Sequence, residues 1–167
     1  MITVKKAGTE SIPVIRELAR VTWAISYASM ISPDQVDYML DLFYSADSLE
    51  KQMQNGHQFI IASEEDIPLG FASYSPKTDS TDEIYRLHKL YIDPSLQGKG
   101  VGRTLLDHVL KTIQGSAATI LELNVNRSNK AIGFYQRLGF AIISEEDIDI
   151  GNGYFMNDYL MQKIIHK

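Results

Sequence analysis

The chain has 167 residues, 44% hydrophobic and 22% charged, with a formal net charge of −5. This is globular composition, large enough for a hydrophobic core of its own and far from disorder. Cysteine is absent, which excludes a disulfide scaffold, a Cys-ligated metal and a Cys nucleophile; the acidic balance argues against a nucleic-acid surface and for cationic small molecules.

The N-terminus, Met1-Ile2-Thr3-Val4-Lys5-Lys6, lacks the apolar core of a signal peptide, and no apolar run approaches membrane length. A cytoplasmic location with no membrane partner is the expectation. Ile2 and Val4 alternate with Thr3 and Lys5, which predicts a first strand broken at Gly8-Thr9. From Glu10 onward Ile12, Ile15, Ala19 and Trp23 mark one face of a helix, with Pro13 tolerated in its first turn. Ser32-Pro33-Asp34-Gln35 starts a second helix: Ser32 caps, Pro33 takes the first helical position, and Gln35 stands where a capping box needs it. Val36, Met39, Leu40 and Phe43 face inward. Asp47-Ser48-Leu49-Glu50 offers a further cap before a short helix that Asn55-Gly56 ends.

Phe59 to Ala62 and Leu69 to Tyr74 read as hairpin strands across the polar turn Glu64-Glu65-Asp66. A polar loop, 75–82, leads to a central strand over 84–92, closed by Asp93-Pro94 because proline cannot donate to a ladder. Val101, Leu105, Leu106, Val109, Leu110 and Ile113 recur at helical spacing, and Gly115-Ser116 breaks that helix. Ala118 to Val125 is the next strand, Asn126 to Ser128 can cap a helix running to Arg137, and Gly139 suits its left-handed C-terminal position. Phe140 to Ser144 is a strand, the acidic runs Glu64–Asp66 and Glu145–Asp147 are expected as solvated turns, and Gly151-Asn152-Gly153 turns the chain into a last strand, Tyr154 to Ile164. The apolar end of that strand suggests a homodimer by pairing or swapping. The element order predicts one mixed α/β sheet, with a parallel pair across the glycine-loop helix.

Between strand and helix lies Gln97-Gly98-Lys99-Gly100-Val101-Gly102. Glycines without Cβ atoms let the backbone turn tightly and approach a ligand. The unpaired amides at the helix start, with the positive dipole end, make a phosphate or diphosphate site. Lys99 and Arg103 add positive charge. The spacing is not a Walker A loop, since no glycine precedes Lys-Ser or Lys-Thr. Nor is it the dinucleotide fingerprint G-x-G-x-x-G, whose third glycine falls one residue early, at Gly102.

What remains is Q-G-x-G-x-G. Past one intervening strand comes Asn129-Lys130-Ala131-Ile132-Gly133-Phe134-Tyr135, then Leu138-Gly139-Phe140. With both motifs in order, the chain resembles the GNAT superfamily of acetyl-CoA-dependent N-acetyltransferases, strongly from Leu87 to Phe140 and loosely elsewhere. The resemblance implies a single domain over 1–167: 1–56 covering the acceptor site, 57–140 forming the acetyl-CoA core, 141–167 adding C-terminal strands. It implies a mostly antiparallel sheet flanked by helices and splayed at the central parallel pair.

The same resemblance assigns roles. Gln97, Gly98, Lys99, Gly100, Val101 and Gly102, with Arg103 and Thr104 close by, would take the diphosphate of acetyl-CoA. The backbones of Leu90 and Ile92 would pair with the pantetheine arm, a backbone N–H near Leu90 would face the thioester oxygen, and Asn129 would bond the arm. Tyr135 would protonate the departing thiolate, a sensible task for a phenol with a pKa near 10. The base stays open among Glu83, His88 and, farther off, Glu122; imidazole suits neutral pH. Period-two alternation puts Arg86, His88 and Leu90 on one face, and Tyr85, Leu87, Lys89 and Tyr91 on the other. His57, His108 and His166 stand at no metal-ligand spacing, so no metal is expected.

The run TWAISYASMISPDQVDYMLDLF is similar to the corresponding part of polyamine acetyltransferases of the PaiA kind. Trp23 and Tyr27, with Asp34, Asp37 and Asp41 nearby in sequence, are the candidates for receiving a cationic amine through cation–π contact and charge. The expected activity is acetyl transfer to a primary amine of a small molecule, a polyamine among them. The alternatives are acetylation of peptides or proteins, or a non-catalytic acyl-CoA-binding module.

Overall fold

A computed structural model of the chain describes residues 1–77 and 83–166. The elements are β1 (Ile2–Ala7), α1 (Ile12–Ser26), α2 (Pro33–Tyr44), α3 (Ala46–Gln54), β2 (Gln58–Glu64), β3 (Ile67–Pro76), β4 (Ile84–Ile92), α4 (Val101–Gln114), β5 (Ile120–Asn126), α5 (Ala131–Arg137), β6 (Ala141–Gly151) and β7 (Tyr154–Ile164). Short 3-10 turns at Thr9–Ser11 and Pro94–Leu96 precede α1 and α4. The class is mixed α/β, as the alternating patterns imply. No helix among the described residues is long and apolar enough to cross a membrane.

Two compact units make up the chain. The first comprises Met1–Ser75 and Lys89–Val109; the second comprises Pro76–His88 and Leu110–Lys167. In the first, strand neighbours run β1-β2-β3-β4. β1 pairs antiparallel with β2 from Ile2↔Glu64 to Ala7↔Phe59, and β2 with β3 from Gln58↔Tyr74 to Glu64↔Ile67. The hairpin turns on Glu65 and Asp66, at φ 50° and 64°, where short polar side chains tolerate the left-handed region. The core of this unit includes Ile15, Ala19, Trp23, Met39, Leu49, Phe59, Ile60 and Phe71.

Its helices start as the sequence predicts, with one shift. The Ser32 hydroxyl accepts the Gln35 N–H at 3.1 Å. The cap of α3 is Ser45, whose hydroxyl accepts the Ser48 N–H at 3.1 Å, and not Asp47. Ser45 is extended and also ends α2, so the two helices meet with a single residue between them.

In the second unit the neighbours run β4-β5-β7-β6. β4 and β5 are parallel over Ile84↔Ile120, Tyr85↔Leu121 and Arg86↔Glu122. β7 pairs antiparallel with β5 from Ile120↔Ile164 to Asn126↔Asp158, and with β6 from Ala141↔Gln162 to Gly151↔Tyr154. Both edges of β7 are therefore paired within the chain, while Ile164 at its end stays exposed. The acidic stretch Glu145–Asp149 lies within strand β6, not in a turn: each residue pairs with β7, with Glu146 and Ile148 half-buried while Glu145, Asp147 and Asp149 stay exposed. Gly151, Asn152 and Gly153, all at positive φ, reverse the chain into β7. Gly139, at φ +96°, closes α5.

Candidate active site

In the first unit, β4 leads through a short turn into the glycine loop. The Asp93 carboxylate accepts the Ser95 N–H and hydroxyl at 3.0 and 2.9 Å, holding the turn after the strand. Gln97 is extended, and Gly98 and Gly100 follow at φ +86° and +82°. A Cβ at either glycine would meet no atom within 4 Å, so the space in front of the loop is open at both positions. Gln97 through Gly100 are exposed, whereas Val101 is buried and anchors the start of α4. The Thr104 N–H and hydroxyl both donate to the Gly100 carbonyl, at 3.0 and 2.8 Å, and tie the loop to the helix. The amides ahead of Thr104 are those that a helix start cannot satisfy internally. With exposed Lys99 beside them and Arg103 only loosely paired to Asp107 at 3.8 Å, they fit an anionic diphosphate.

The last residues of β4 are fitted closely into the same unit. The Asp93 N–H donates to the Leu69 carbonyl at 2.9 Å, and the Thr22 hydroxyl to the Ile92 carbonyl at 3.4 Å. Around Tyr91 gather Trp23, Tyr27, Tyr44 and Phe71, at ring-centroid distances of 5.9, 6.5, 6.3 and 5.7 Å. Trp23 stacks on Tyr27 at 4.4 Å and 20°. It is a core residue, 3% exposed; Tyr27 is half-buried at the margin of the cluster. The Trp23 indole N–H makes no hydrogen bond of acceptable geometry and only leans electrostatically on the Tyr44 phenol. Burial pushes that phenol well above its ordinary pKa and keeps it neutral.

Lys89 is the buried cation of this unit, 9% exposed. Its ammonium donates to the Gln52 side-chain oxygen at 2.8 Å and lies 5.2 and 5.8 Å from the rings of Tyr44 and Phe59. Burial pushes its pKa down to about 8. His57 is lowered too, by burial first and then by the charge of Lys89.

In the second unit Tyr135 is buried on α5, edge-on to Phe134 and Phe140 at 5.4 and 5.6 Å. The Asn129 side-chain oxygen accepts the Ala131 N–H at 2.9 Å, at the start of α5. His88 is half-buried on β4. Glu83 is exposed just before that strand, and its carbonyl accepts the N–H groups of Thr119 and Ile120. Glu122 is fully buried and engaged by Arg86, Lys77 and Gln162. Arg86 also reaches the Asn124 side-chain oxygen, and Asn124 donates to Glu146 and Asp158 at 3.2 and 3.4 Å. This is a charge-paired interior, with Glu122 buried among Arg86, Lys77 and Gln162.

The candidates thus fall into two groups. Trp23, Tyr27, Leu90, Ile92 and Gln97 through Thr104 belong to the first unit, and Glu83, His88, Asn129 and Tyr135 to the second. Sequence reasoning passed over Lys89, although alternation had put it on the face of Leu87, which is buried at 3%.

Residues 27–155 match the family model for the acetyltransferase (GNAT) domain. The chain belongs to the GNAT family. A peptidyl-lysine N-acetyltransferase of Escherichia coli, YjaB, is 35% identical over 58% of this chain and 58% of its own length. The chain covers 59% of the Salmonella typhimurium protein of the same name, so it spans about three-fifths of these two curated relatives. The spermidine N(1)-acetyltransferase of Thermoplasma acidophilum is 24% identical over 97% of the chain and 96% of that protein. A crystal structure of PaiA N-acetyltransferase from the same organism, in complex with coenzyme A, superposes with a TM-score of 0.82 at 25% identity, covering 98% of this chain and 99% of that one. GNAT members have acetyl-CoA as co-substrate.

Proposed function

We propose that this chain transfers the acetyl group of acetyl-CoA to a primary amine of a small cationic molecule, a polyamine foremost, by direct attack with both partners bound. The observation that carries the reading is the exposed Gln97–Gly100 loop, with two glycines at positive φ, running into α4 in a chain that matches the GNAT model. Acetyl-CoA supplies an activated thioester; the chain supplies placement and protons. In this reading amides from Gln97 to Gly102 hold the diphosphate, with Lys99 and Arg103 adding charge. The β4 backbone at Leu90 and Ile92 runs past the last register pair with β5, Arg86↔Glu122, and takes the pantetheine arm as an added strand would. The Leu90 N–H faces the oxygen on which charge develops. Asn129 keeps its amide nitrogen for the arm, since its oxygen is occupied by Ala131. Tyr135 delivers a proton to the departing sulfur, and His88 or Glu83 removes the proton from the amine.

The polyamine preference draws support from the Thermoplasma spermidine acetyltransferase, because its 97% coverage takes in the N-terminal third, where the acceptor cover is proposed. A second reading, acetylation of lysine side chains in proteins, draws on the higher identity of the E. coli relative over a shorter stretch. A CoA-release assay over spermidine, spermine, amino acids and lysine peptides separates them. Turnover of spermidine with inert peptides supports the first, and peptide turnover with inert diamines selects the second. Tyr135→Phe is expected to abolish most turnover while coenzyme A still binds by calorimetry. Loss of both together would remove the proton-donor role.

A further inference from the structure

We infer that Lys89 is a positioning residue for amine binding: through Gln52 its ammonium ties β4 to the junction of α2 and α3, and so fixes the helix that carries Asp34, Asp37 and Asp41. The inference rests on the proposed acceptor role of residues 1–56.

Gln52 is a three-way joint. Its side-chain oxygen accepts from Lys89 at 2.8 Å, while its amide nitrogen donates to the Phe43 carbonyl at 2.9 Å and the Ser48 hydroxyl at 3.0 Å. Phe43 lies in the last turn of α2, whose carbonyls have no partner inside the helix and form its negative end. Ser48 lies in the first turn of α3. One amide group therefore gathers the end of α2, the start of α3 and strand β4, and the cation behind it complements the helix end. An apolar residue at position 89 would fill the space beside Tyr44 and Phe59 without the cost of burying a charge. The charge is the part that packing leaves unexplained.

The tie is not the sole support of α2. Arg16 of α1 donates to the Tyr44 carbonyl at 3.0 Å, from the solvent side. Removing Lys89 should therefore leave α2 folded and change its placement. Asp34, Asp37 and Asp41 are exposed on α2, at spacings that keep them near one another along the helix. A small rotation of α2 moves all of them against a bound polycation and leaves the Gln97–Thr104 loop alone.

The test uses the full chain with Lys89→Met, Gln52→Leu and the double variant. Either single change is expected to raise KM for spermidine about tenfold, the loss expected of one charge-assisted hydrogen bond. Amide exchange across α2 should quicken in both, while kcat and the calorimetric affinity for coenzyme A stay at wild-type values. The double variant should be no worse than either single, because both cut the same tie. Additive effects, an unchanged KM with unchanged exchange, or a parallel fall in coenzyme affinity would each overturn the inference. If Lys89→Met does not fold, Gln52→Leu carries the same readouts. If the wild-type chain turns over no amine, the functional reading fails on its own, and the exchange of α2 amides still decides the tie.

Discussion

A Cβ on Gly70 would stand 2.6 Å from the carbonyl oxygen of Tyr91 and 3.1 Å from the Cα of Ile92. Both contacts are with backbone, so no side chain can swing aside to relieve them. Gly70 thus sets how closely β3 approaches the end of β4, where the acyl arm is proposed to lie. Gly70→Ala should destabilise the chain by about 1–3 kcal/mol, the range for overpacking a tight interior. It should also lower turnover beyond what partial unfolding explains. Urea denaturation followed by assay at a temperature where the variant is fully folded checks both; unchanged stability would mean that the strands can part without cost.

Arg86 and Glu122 face each other at the last register pair of the parallel ladder, with Glu122 fully buried and Lys77 3.3 Å from the same carboxylate oxygen that Arg86 engages. Glu122→Ala removes the carboxylate that Arg86 and Lys77 share and should cost about 3–5 kcal/mol, the scale for breaking a buried pair from one side. Replacing Arg86 and Glu122 together by Met and Leu should cost less than Glu122→Ala, because the Arg86 charge leaves with its partner and only the part-exposed Lys77 loses a contact. Denaturation midpoints of Glu122→Ala, the double variant and its two singles, Arg86→Met and Glu122→Leu, give the comparison. A double variant as unstable as the sum of its singles would mean that the pair does not act as a unit.

The parts of this molecule readable from sequence are those fixed by local chemistry. Ser32 caps, Gly98 and Gly100 adopt positive φ, and Gly139 ends a helix, because each role depends on a residue and its immediate neighbours. Where two local signals competed, the reading slipped. Ser45 and Asp47 both suit a cap, and Ser45 holds it because that residue also ends α2. The acidic run Glu145–Asp149 looks like a solvated turn until β7 pairs along it, and cross-strand hydrogen bonding overrides the low strand propensity of Asp and Glu. Lys89 and Glu122 escaped for a related reason: a charge is expected outside, and its burial depends on partners such as Gln52 and Arg86 that lie far away in sequence. The glycine loop was legible as a turn into α4 because it is one continuous stretch. The base was not, since His88 and Glu83 differ only in surroundings that other segments supply.

Lys89 and His57 are bases that the folded state holds below their ordinary pKa values, so the unfolded chain binds more protons and stability must rise with pH. For Lys89 the penalty is complete below about 8, fades between about 8 and 10.5, and is gone above that. The groups around its ammonium are Gln52, Tyr44, Phe59 and His57, and among the described residues no carboxylate pairs with it to offset burial. A drop from 10.5 to about 8 corresponds to about 3 kcal/mol. Lys89→Met should therefore be more stable than wild type at pH 7, by up to about that amount, and the advantage should vanish above pH 10.5. Denaturant titrations at pH 7 and pH 10.5 test the sign. A variant that is less stable at pH 7 would mean that the bond to Gln52 outweighs the desolvation of the charge.

Gly98 and Gly100 separate folding from ligand binding. Both lie at positive φ with open space where a Cβ would project, so an alanine there meets a backbone penalty and no clash. The penalty for a left-handed non-glycine residue is about 1–2 kcal/mol, and it falls on an exposed loop that can relax. The new methyl group, however, projects into the space that a diphosphate would occupy against the amides. Gly100→Ala should therefore unfold within a few degrees of wild type while its affinity for coenzyme A falls at least tenfold, the effect of about 1.4 kcal/mol of lost binding. The adjacent Lys99→Ala removes charge but leaves the backbone free, so it should weaken binding less at high salt than at low salt, where screening has not already removed its contribution. Calorimetric titration of coenzyme A into the three proteins at two salt concentrations reads both effects. Full affinity in Gly100→Ala would move the diphosphate elsewhere and take the proposed roles of Leu90 and Ile92 with it.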